Sequence, residues 1–399
     1  MSRDVAVVGA GIFGVTAALE LNARGHRVSL IDPGPLPHPL AASTDISKVI
    51  RMEYGPDAVY MELVEESLEG WSAWNQRWTE EGIGELYHET GVLMLCRAPM
   101  SGGGFEYESW RKLLERGHKP ERMDAGTITR RFPAWSTKRY VDGFFHAKGG
   151  YAESGRVVEA LARWARQQGV SLLDNRRVVA LVEDGARVVG VLCHDGQEIR
   201  ADEVVLAAGA WSGKLLPELS HSIASTGHPV FHLKPRDPEL FASERFPTFT
   251  ADVARTGYYG FPLSSDGVVK IANHGLGTPI DPDAVRAVTE RDEKELRAFL
   301  KETFPALADA EVAFTRLCLY ADTQDEDLWI ARDPTREGFS VASGGSGHGF
   351  KFAPVLGRLI ADAVEGVSNR TLGKFGWRPD LVLGQGREAA RCHIPDEAT

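Results

Sequence analysis

Two short glycine-rich segments at opposite ends of the chain hold the residues best suited to chemistry. One is Gly9-Ala-Gly11-Ile-Phe-Gly14. The other is Gly345-Ser-Gly347-His348-Gly349-Phe-Lys351, preceded by Cys318-Leu-Tyr320. The second segment places a histidine and a lysine on a flexible turn that runs into a helix, with a thiol upstream. A site assembled from both ends of a long chain suits a large, planar, phosphate-bearing cofactor, and a flavin fits that description.

Gly9, Gly11 and Gly14 have the spacing of a dinucleotide fingerprint. The first allows a tight turn, the second lets a pyrophosphate approach the backbone, and the third lets helix and strand pack closely. Asp32 follows about 18 residues later at the end of the next strand, where a carboxylate accepts from ribose hydroxyls. This pattern does not separate NAD from FAD, and a plain structural turn is the other reading. After Lys351, Pro354 and the apolar positions Val355, Leu356, Leu359, Ile360, Ala363 and Val364 predict an amphipathic helix. Its N-terminal donors and partial positive charge would favour a reduced flavin, which is anionic at its pyrimidine end. The alternative is a tight turn with a solvated Lys351.

Three further readings stay open on local sequence. Cys318 is either an inert buried thiol or a thioether to a flavin ring. Lys270 and His274 fall on the same strand face as Val268 by alternation, and could equally be a solvated lysine and a hydrogen-bonded histidine. Arg51, in Ser47-Lys48-Val-Ile-Arg51-Met-Glu-Tyr54, could serve an anion or a surface salt bridge.

The elements that must position these residues read as a parallel-sheet unit. Residues 5–8 and 27–31 are short apolar strands of the buried type, and 15–24 is a helix closed by Gly25. Residues 33–39 form a proline-rich loop, and 60–80 a tryptophan-studded helix. Residues 156–168 form an amphipathic helix followed by a strand at 170–173. A buried strand over 203–210 ends in small residues, including Ala208 and Gly209. Aromatic-rich stretches near 85–150 and 225–315, with alternation over 267–272, predict a second, more antiparallel sheet. The domains are therefore expected to interleave: 1–85, 150–222 and 318–380 for the cofactor, 86–149 and 223–317 for the substrate. There is no internal repeat and no low-complexity tract.

A chain of 399 residues with 43% apolar and 25% charged residues is ordinary globular composition and long enough for two domains. A net charge of −11 argues against nucleic-acid binding, which needs a basic face. No apolar run approaches the roughly 18 residues of a membrane span, and the N-terminus lacks the basic start and cleavage site of a secretory signal. Cys96, Cys193, Cys318 and Cys392 have no paired spacing for zinc or a redox dithiol. A reducing cytoplasm and no metal are the expectation, and the C-terminal Glu-Ala-Thr matches no targeting tripeptide.

Taken together, GAGIFG, SKVIRMEYG, TGYYGFP, CLYADT and GSGHGFKF resemble the monomeric sarcosine oxidase group of FAD-dependent amine oxidases, within the D-amino-acid-oxidase-like superfamily. The resemblance runs in consistent order over about residues 3–365. The chain is also similar to the fungal fructosyl-amino-acid oxidases, which share the GHGFK loop and tend to have lysine where Lys48 stands. The resemblance implies an α/β fold: a glutathione-reductase-like FAD-binding domain with an interleaved mixed-sheet α+β substrate domain. It implies FAD bound through Gly9, Gly11, Gly14, Asp32, Ser43, Lys48, Ala208, Gly209, Gly347, His348, Gly349 and Lys351, and joined covalently to Cys318. Lys270 matches a lysine near the flavin where oxygen is activated, a case of electrostatic catalysis. His274 matches a histidine near the reacting amine. Arg51 and Lys351 match the pair that grips the substrate carboxylate. Tyr258 and Tyr320 match tyrosines lining the pocket.

The departures concern the substrate. Lys48 replaces an arginine, Ser43 and Thr44 replace a pair of histidines, and Trp377-Arg378-Pro379 looks like the fructosyl-amino-acid branch, in which an arginine contacts the substrate acid. The implied reaction is oxidation of a small-molecule secondary amine, an N-substituted amino acid, to an imine that hydrolyses. Dioxygen would take the electrons to give hydrogen peroxide, in a monomeric enzyme. With no second GxGxxG, a nicotinamide co-substrate is not expected. A dehydrogenase passing electrons to a carrier, and a non-catalytic nucleotide-binding protein, are the alternatives.

Overall fold

A computed structural model of the chain describes residues 1–136 and 138–381. Cys392 and the terminal Glu-Ala-Thr lie outside the described residues. A six-stranded sheet runs in the order Trp329–Arg332, Phe339–Ser343, Glu203–Leu206, Asp4–Val8, Arg27–Ile31, Ser171–Leu173. All its pairings are parallel except the Trp329–Arg332 edge. Its central strands Asp4–Val8, Glu203–Leu206 and Phe339–Ser343 are buried on both faces, as expected of a covered parallel sheet. Val5 and Val7 face a core shared with the helices, while Ala6 and Val8 face a second core. The helices Ile12–Ala23, Ser154–Gln167 and Ala353–Glu365 contribute to the first core, and a small antiparallel sheet of Val178–Asp184, Arg187–Cys193 and Glu198–Arg200 to the second.

This layering positions the site by topology. Gly9, Asp32, Ala207 and Gly344 each follow the carboxyl end of a parallel strand, so their loops open at one edge of the sheet. That edge is where ligands bind in open α/β sheets. The helices Ile12–Ala23 and Ala353–Glu365, one starting within the first glycine segment and the other just after the second, pack so closely that a Cβ at Gly357 would stand 2.5 Å from the Thr16 carbonyl oxygen.

The second sheet has nine strands. Its path is Thr278–Pro279, Ile223–Lys234, Val269–Asn273, Tyr258–Leu263, Thr248–Ala251, Val92–Cys96, Asp142–His146, Glu121–Asp124, and Glu311–Thr323 also pairs with Ile223–Lys234. It is antiparallel apart from the Thr248–Ala251/Val92–Cys96 contact. The α/β architecture with an interleaved mixed sheet agrees with the sequence reading.

Three differences from the expected element boundaries bear on the site. The first helix begins at Ile12, directly after the second glycine of the loop, rather than at residue 15. The strand from Glu203 stops at Leu206, and Gly209–Trp211 turns as a short 3-10 helix because its small residues allow a tight bend. The strand Glu311–Thr323 runs through position 318 without a break. Cys318 and Tyr320 therefore belong by hydrogen bonding to the large sheet and not to the cofactor layer. Among the described residues no helix is long and apolar enough to cross a membrane.

Candidate active site

The first glycine segment is shaped by close backbone approach. Gly9 has φ +99°, and a Cβ there would meet the Ala207 carbonyl oxygen at 2.5 Å; one at Gly14 would overlap the Gly9 carbonyl. Gly11 caps the Ile12–Ala23 helix without a side chain. The Ile12 N–H donates to Ser43 Oγ at 3.1 Å, so Ser43 fastens a distant loop onto this helix tip. The buried Asp32 carboxylate accepts from the Ala10 N–H at 2.8 Å and the Gly34 N–H at 3.1 Å. Burial raises its pKa, and the two backbone donors oppose that.

From this segment a cavity of about 620 Å³ passes Ser43 and Lys48, borders Ala208 and Gly209, and reaches Tyr320 and residues 345–349. The volume lies in the range of cofactor and ligand sites. The loop at its far end is strained in the glycine-favouring sense, with Ser346 at φ +42° and Gly347 at φ +76°. A Cβ at Gly347 would run into the Tyr320 ring. The loop enters a Gly349–Phe352 3-10 turn before the Ala353–Glu365 helix, so one turn separates it from the predicted helix tip.

Behind that loop His348 is committed to the protein. Its Nε2 lies 2.9 Å from the Glu326 carbonyl oxygen, which can only accept, so Nε2 carries the proton. Nδ1 then accepts from the Tyr54 hydroxyl at 2.9 Å. Lys351 Nζ donates to that hydroxyl at 2.7 Å and to the His348 carbonyl at 2.9 Å. His348 thus positions Lys351 through Tyr54. The Tyr54 ring also bears two cations: Lys351 Nζ lies 4.9 Å and the Arg51 guanidinium carbon 5.1 Å from its centroid. Arg51 rests against Phe105 as well, at 5.6 Å.

A second cluster surrounds Asp45. Lys270 is buried, and its Nζ donates to Asp45 Oδ2 at 2.6 Å and to the Ser47 carbonyl at 2.5 Å. Burial brings the Lys270 pKa down to about 8, against the pull of Asp45. Burial works against the charge on Asp45 too, yet Lys270 and then Lys48 hold its carboxyl well below the usual range. Lys48 Nζ stands 3.5 Å from Asp45 Oδ2 and 3.7 Å from Cys318 Sγ. Burial disfavours its charge, but Cys318 and Asp45 keep its pKa raised. Cys318 is itself buried beneath this ammonium.

On the face of the large sheet that carries Cys318, the Tyr320 ring stacks on His228 at 3.8 Å and lies 5.9 Å from the His274 ring. Tyr259 packs against Cys318 and Tyr320. Tyr258 does not: it points to the opposite face of its strand and stacks on Phe299 at 3.9 Å. Strand alternation therefore puts Tyr259, and not Tyr258, on the face with Cys318 and Tyr320. Arg378 is likewise engaged elsewhere. It pairs with Asp325 at 2.7 and 3.0 Å, donates to the carbonyls of Gly376, Asp327 and Leu328, and lies over Trp329. These contacts make it a clasp on the 325–328 loop.

The structure thus brings Arg51 and Lys351 together on Tyr54, and Lys270, Lys48 and Cys318 together around Asp45. The sequence reading gives no site role to Asp45, Tyr54 or Tyr259, although Tyr54 and Tyr259 lie within its motifs. Each stood within reach of a named residue: Asp45 three before Lys48, Tyr54 three after Arg51, and Tyr259 beside Tyr258.

Residues 4–363 match the family model described as FAD dependent oxidoreductase. Monomeric sarcosine oxidase from Bacillus sp. is 28% identical over 380 residues, covering 93% of this chain and 95% of that protein. N-methyl-L-tryptophan oxidase from Salmonella arizonae is 30% identical over 367 residues, covering 91% and 94%. Among solved structures, the deglycating enzyme fructosamine oxidase (Amadoriase II) from Aspergillus fumigatus superimposes with a TM-score of 0.78 at 28% identity, covering 95% of this chain and 90% of that one.

The hydroxyl of Tyr54 bonds a charged lysine on one side and a histidine on the other. Tyr54→Phe is expected to lower stability by about 1.5–3 kcal/mol, read from the shift of the urea unfolding midpoint. An unchanged midpoint would show that this chain of hydrogen bonds does not hold the loop.

Proposed function

Since this chain belongs to the FAD-dependent oxidoreductase family, we propose that it is an FAD-dependent oxidase of secondary amines, with N-substituted amino acids as substrates and dioxygen as acceptor. The observation that carries this reading is the pair of cations, Arg51 and Lys351, on one tyrosine ring beside the 345–349 loop of the cavity. Two cations so placed suit a carboxylate, with the planar guanidinium able to bind it in bidentate fashion.

The residues present fit FAD. Gly9 and Gly11 line the cavity at the tip of the Ile12–Ala23 helix, and Gly14 leaves room for that helix to pack against the Gly9 backbone. The positive end of the Ile12–Ala23 helix favours a pyrophosphate, and the lone pairs of Asp32 not used by Ala10 and Gly34 suit ribose hydroxyls. Ser43, Lys48, Ala208, Gly209, Gly347 and Gly349 would line the rest of the cofactor. FAD, when bound, supplies a two-electron acceptor for the amine and a two-electron donor for dioxygen.

The chain's own residues account for the remaining steps. Arg51 and Lys351 would anchor the substrate carboxylate, and their positive charge would lower the pKa of the nearby ammonium so that the neutral amine reacts. His274, Tyr259 and Tyr320 would enclose the reacting nitrogen and keep water from it. Lys270, charged and dehydrated against Asp45, would stabilise negative charge arising on dioxygen. Cys318, beneath Lys48, would hold the cofactor through a thioether, its S–H and one ring-methyl C–H giving way to the S–C bond while dioxygen takes the two electrons and two protons released. The proposed division is 1–85, 150–222 and 318–380 for the cofactor and 86–149 with 223–317 for the substrate, with the strand Glu311–Thr323 of the large sheet crossing the boundary at 318.

The reading is tested by anaerobic bleaching of the purified holoprotein with a panel of N-substituted amino acids and the matching amines that lack a carboxylate. Fast bleaching by the acids alone, with one peroxide formed per amine in air, is the expected result. Bleaching by dithionite but by none of the panel would discard the substrate assignment, and bleaching without peroxide would make the protein a dehydrogenase. Lys270→Met is expected to slow reoxidation by dioxygen by about tenfold or more while flavin reduction changes little. Equal slowing of both half-reactions would remove the role given to Lys270. On acid precipitation the flavin should stay with the wild-type polypeptide and be released from Cys318→Ala. Release from both would exclude the thioether.

A further inference from the structure

His232 is fully buried in the Ile223–Lys234 strand, and neither ring nitrogen makes a hydrogen bond. Leaving a buried polar group unbonded is costly, and such a group calls for an explanation. The residue stands directly opposite Lys270 in the ladder with Val269–Asn273, so both side chains leave the sheet on one face. On that face they meet the same carboxylate. Lys270 Nζ lies 2.6 Å from Asp45 Oδ2, and His232 Nε2 lies 3.8 Å from Asp45 Oδ1. On its other side the imidazole stacks at 3.8 Å on Phe314, whose side chain is 46% exposed. The arrangement therefore leads from the protein surface, past one aromatic ring, to a buried imidazole, a carboxylate and a buried ammonium.

We infer that Asp45 and His232 form a proton path to Lys270, in which Asp45 positions the ammonium and His232 returns the proton it loses. This rests on the reading of Lys270 as the oxygen-side cation. Conversion of dioxygen to hydrogen peroxide takes two electrons and two protons. Both electrons and one proton come with the reduced cofactor, and the second proton leaves Lys270 as its N–H bond breaks. The neutral amine is then recharged: an imidazolium formed from solvent at His232 gives its Nε2 proton to Asp45 Oδ1, and a proton passes from the carboxyl to Lys270 Nζ. Asp45 ends ionised and His232 neutral, so charge and atoms balance.

The electrostatics give this transfer a direction. Burial, helped by Lys270 and opposed by Asp45, lowers the His232 pKa below its ordinary value, while Lys270 sits at about 8. A proton therefore moves downhill from imidazolium to amine. The other ionisable groups around the path are Lys48 and Arg316, which repel a further positive charge, and Cys318 and Tyr259 on the Lys48 side. The 3.8 Å gap between His232 and Asp45 is of the kind that proton-transfer pairs show before substrate binds and that tightens in the working complex.

The test uses His232→Gln and Asp45→Asn as holoenzymes, with Lys270→Met as reference, followed through both half-reactions by stopped flow between pH 6 and pH 10. His232→Gln is expected to reoxidise about tenfold more slowly in weak buffer, with a larger solvent deuterium isotope effect and recovery on adding imidazole. Its anaerobic reduction by amine should match wild type. Asp45→Asn, which removes the anion beside Lys270, should lower the Lys270 titration midpoint read by NMR of ¹³Cε-labelled lysine. Wild-type reoxidation by His232→Gln at all pH values, alongside slow reoxidation by Lys270→Met, would overturn the proton path alone. Normal reoxidation by Lys270→Met would instead remove the reading of Lys270 on which it rests. Should Asp45→Asn fail to fold, the His232→Gln arm decides.

Discussion

The arrangement of the site depends on one buried anion. Asp45 sits in the 41–48 segment, which lies between the cofactor layer and the large sheet and is gripped from both. Its carboxylate takes Lys270 of the large sheet, and its backbone carbonyl accepts from Ser154 Oγ and the Gly155 N–H of the cofactor-side helix. Arg316, also of the large sheet, donates to the carbonyls of Ala41 and Thr44, and Lys270 to that of Ser47. A dehydrated ion pair returns its solvation cost only when geometry is good and further hydrogen bonds satisfy the partners; losing one partner then costs about 3–5 kcal/mol. The same contacts that place Lys270 therefore also dock the two layers, and the segment cannot shift without stranding a charge.

Two different solutions to holding cations appear a short distance apart in sequence. Around Asp45 the positive charges of Lys270 and Lys48 share one carboxylate, and burial tunes Lys270 toward neutrality. Around Tyr54 the cations Arg51 and Lys351 lie against an aromatic ring. An aromatic ring orients a cation through its face, and in the proposed reading that pair meets the substrate carboxylate. In the same reading the carboxylate-bound Lys270 meets the smaller charge that develops on dioxygen. The proposed chemistry divides accordingly between an anchoring end and an oxygen end.

Much of the cofactor site could be read from the residues alone because it is made of local structure. The Gly9–Gly14 turn, the helix that follows and Asp32 at the end of the next strand depend on neighbours within one strand–turn–helix–strand unit. The Gly345–Lys351 turn and its helix are equally local. Tyr258 shows where this stops: which of two adjacent tyrosines faces the site depends on the register of the strand against Val269–Asn273. Arg378 shows the same, since a charge that reads as a substrate contact is absorbed by Asp325, 53 residues away.

By itself the sequence determined the strand–turn–helix unit, the residue types of both glycine loops and the identity of the candidate cations and thiol. These follow from backbone sterics and local periodicity. Only the tertiary structure decided that Cys318 lies under Lys48, that Lys270 is held by Asp45 with His232 opposite, and that Tyr54 joins Arg51 to Lys351. Each of those is a contact between segments far apart in the chain, set by which faces of two sheets are pressed together. No periodicity within a segment encodes such a contact, because its free energy arises only when water is excluded between the layers.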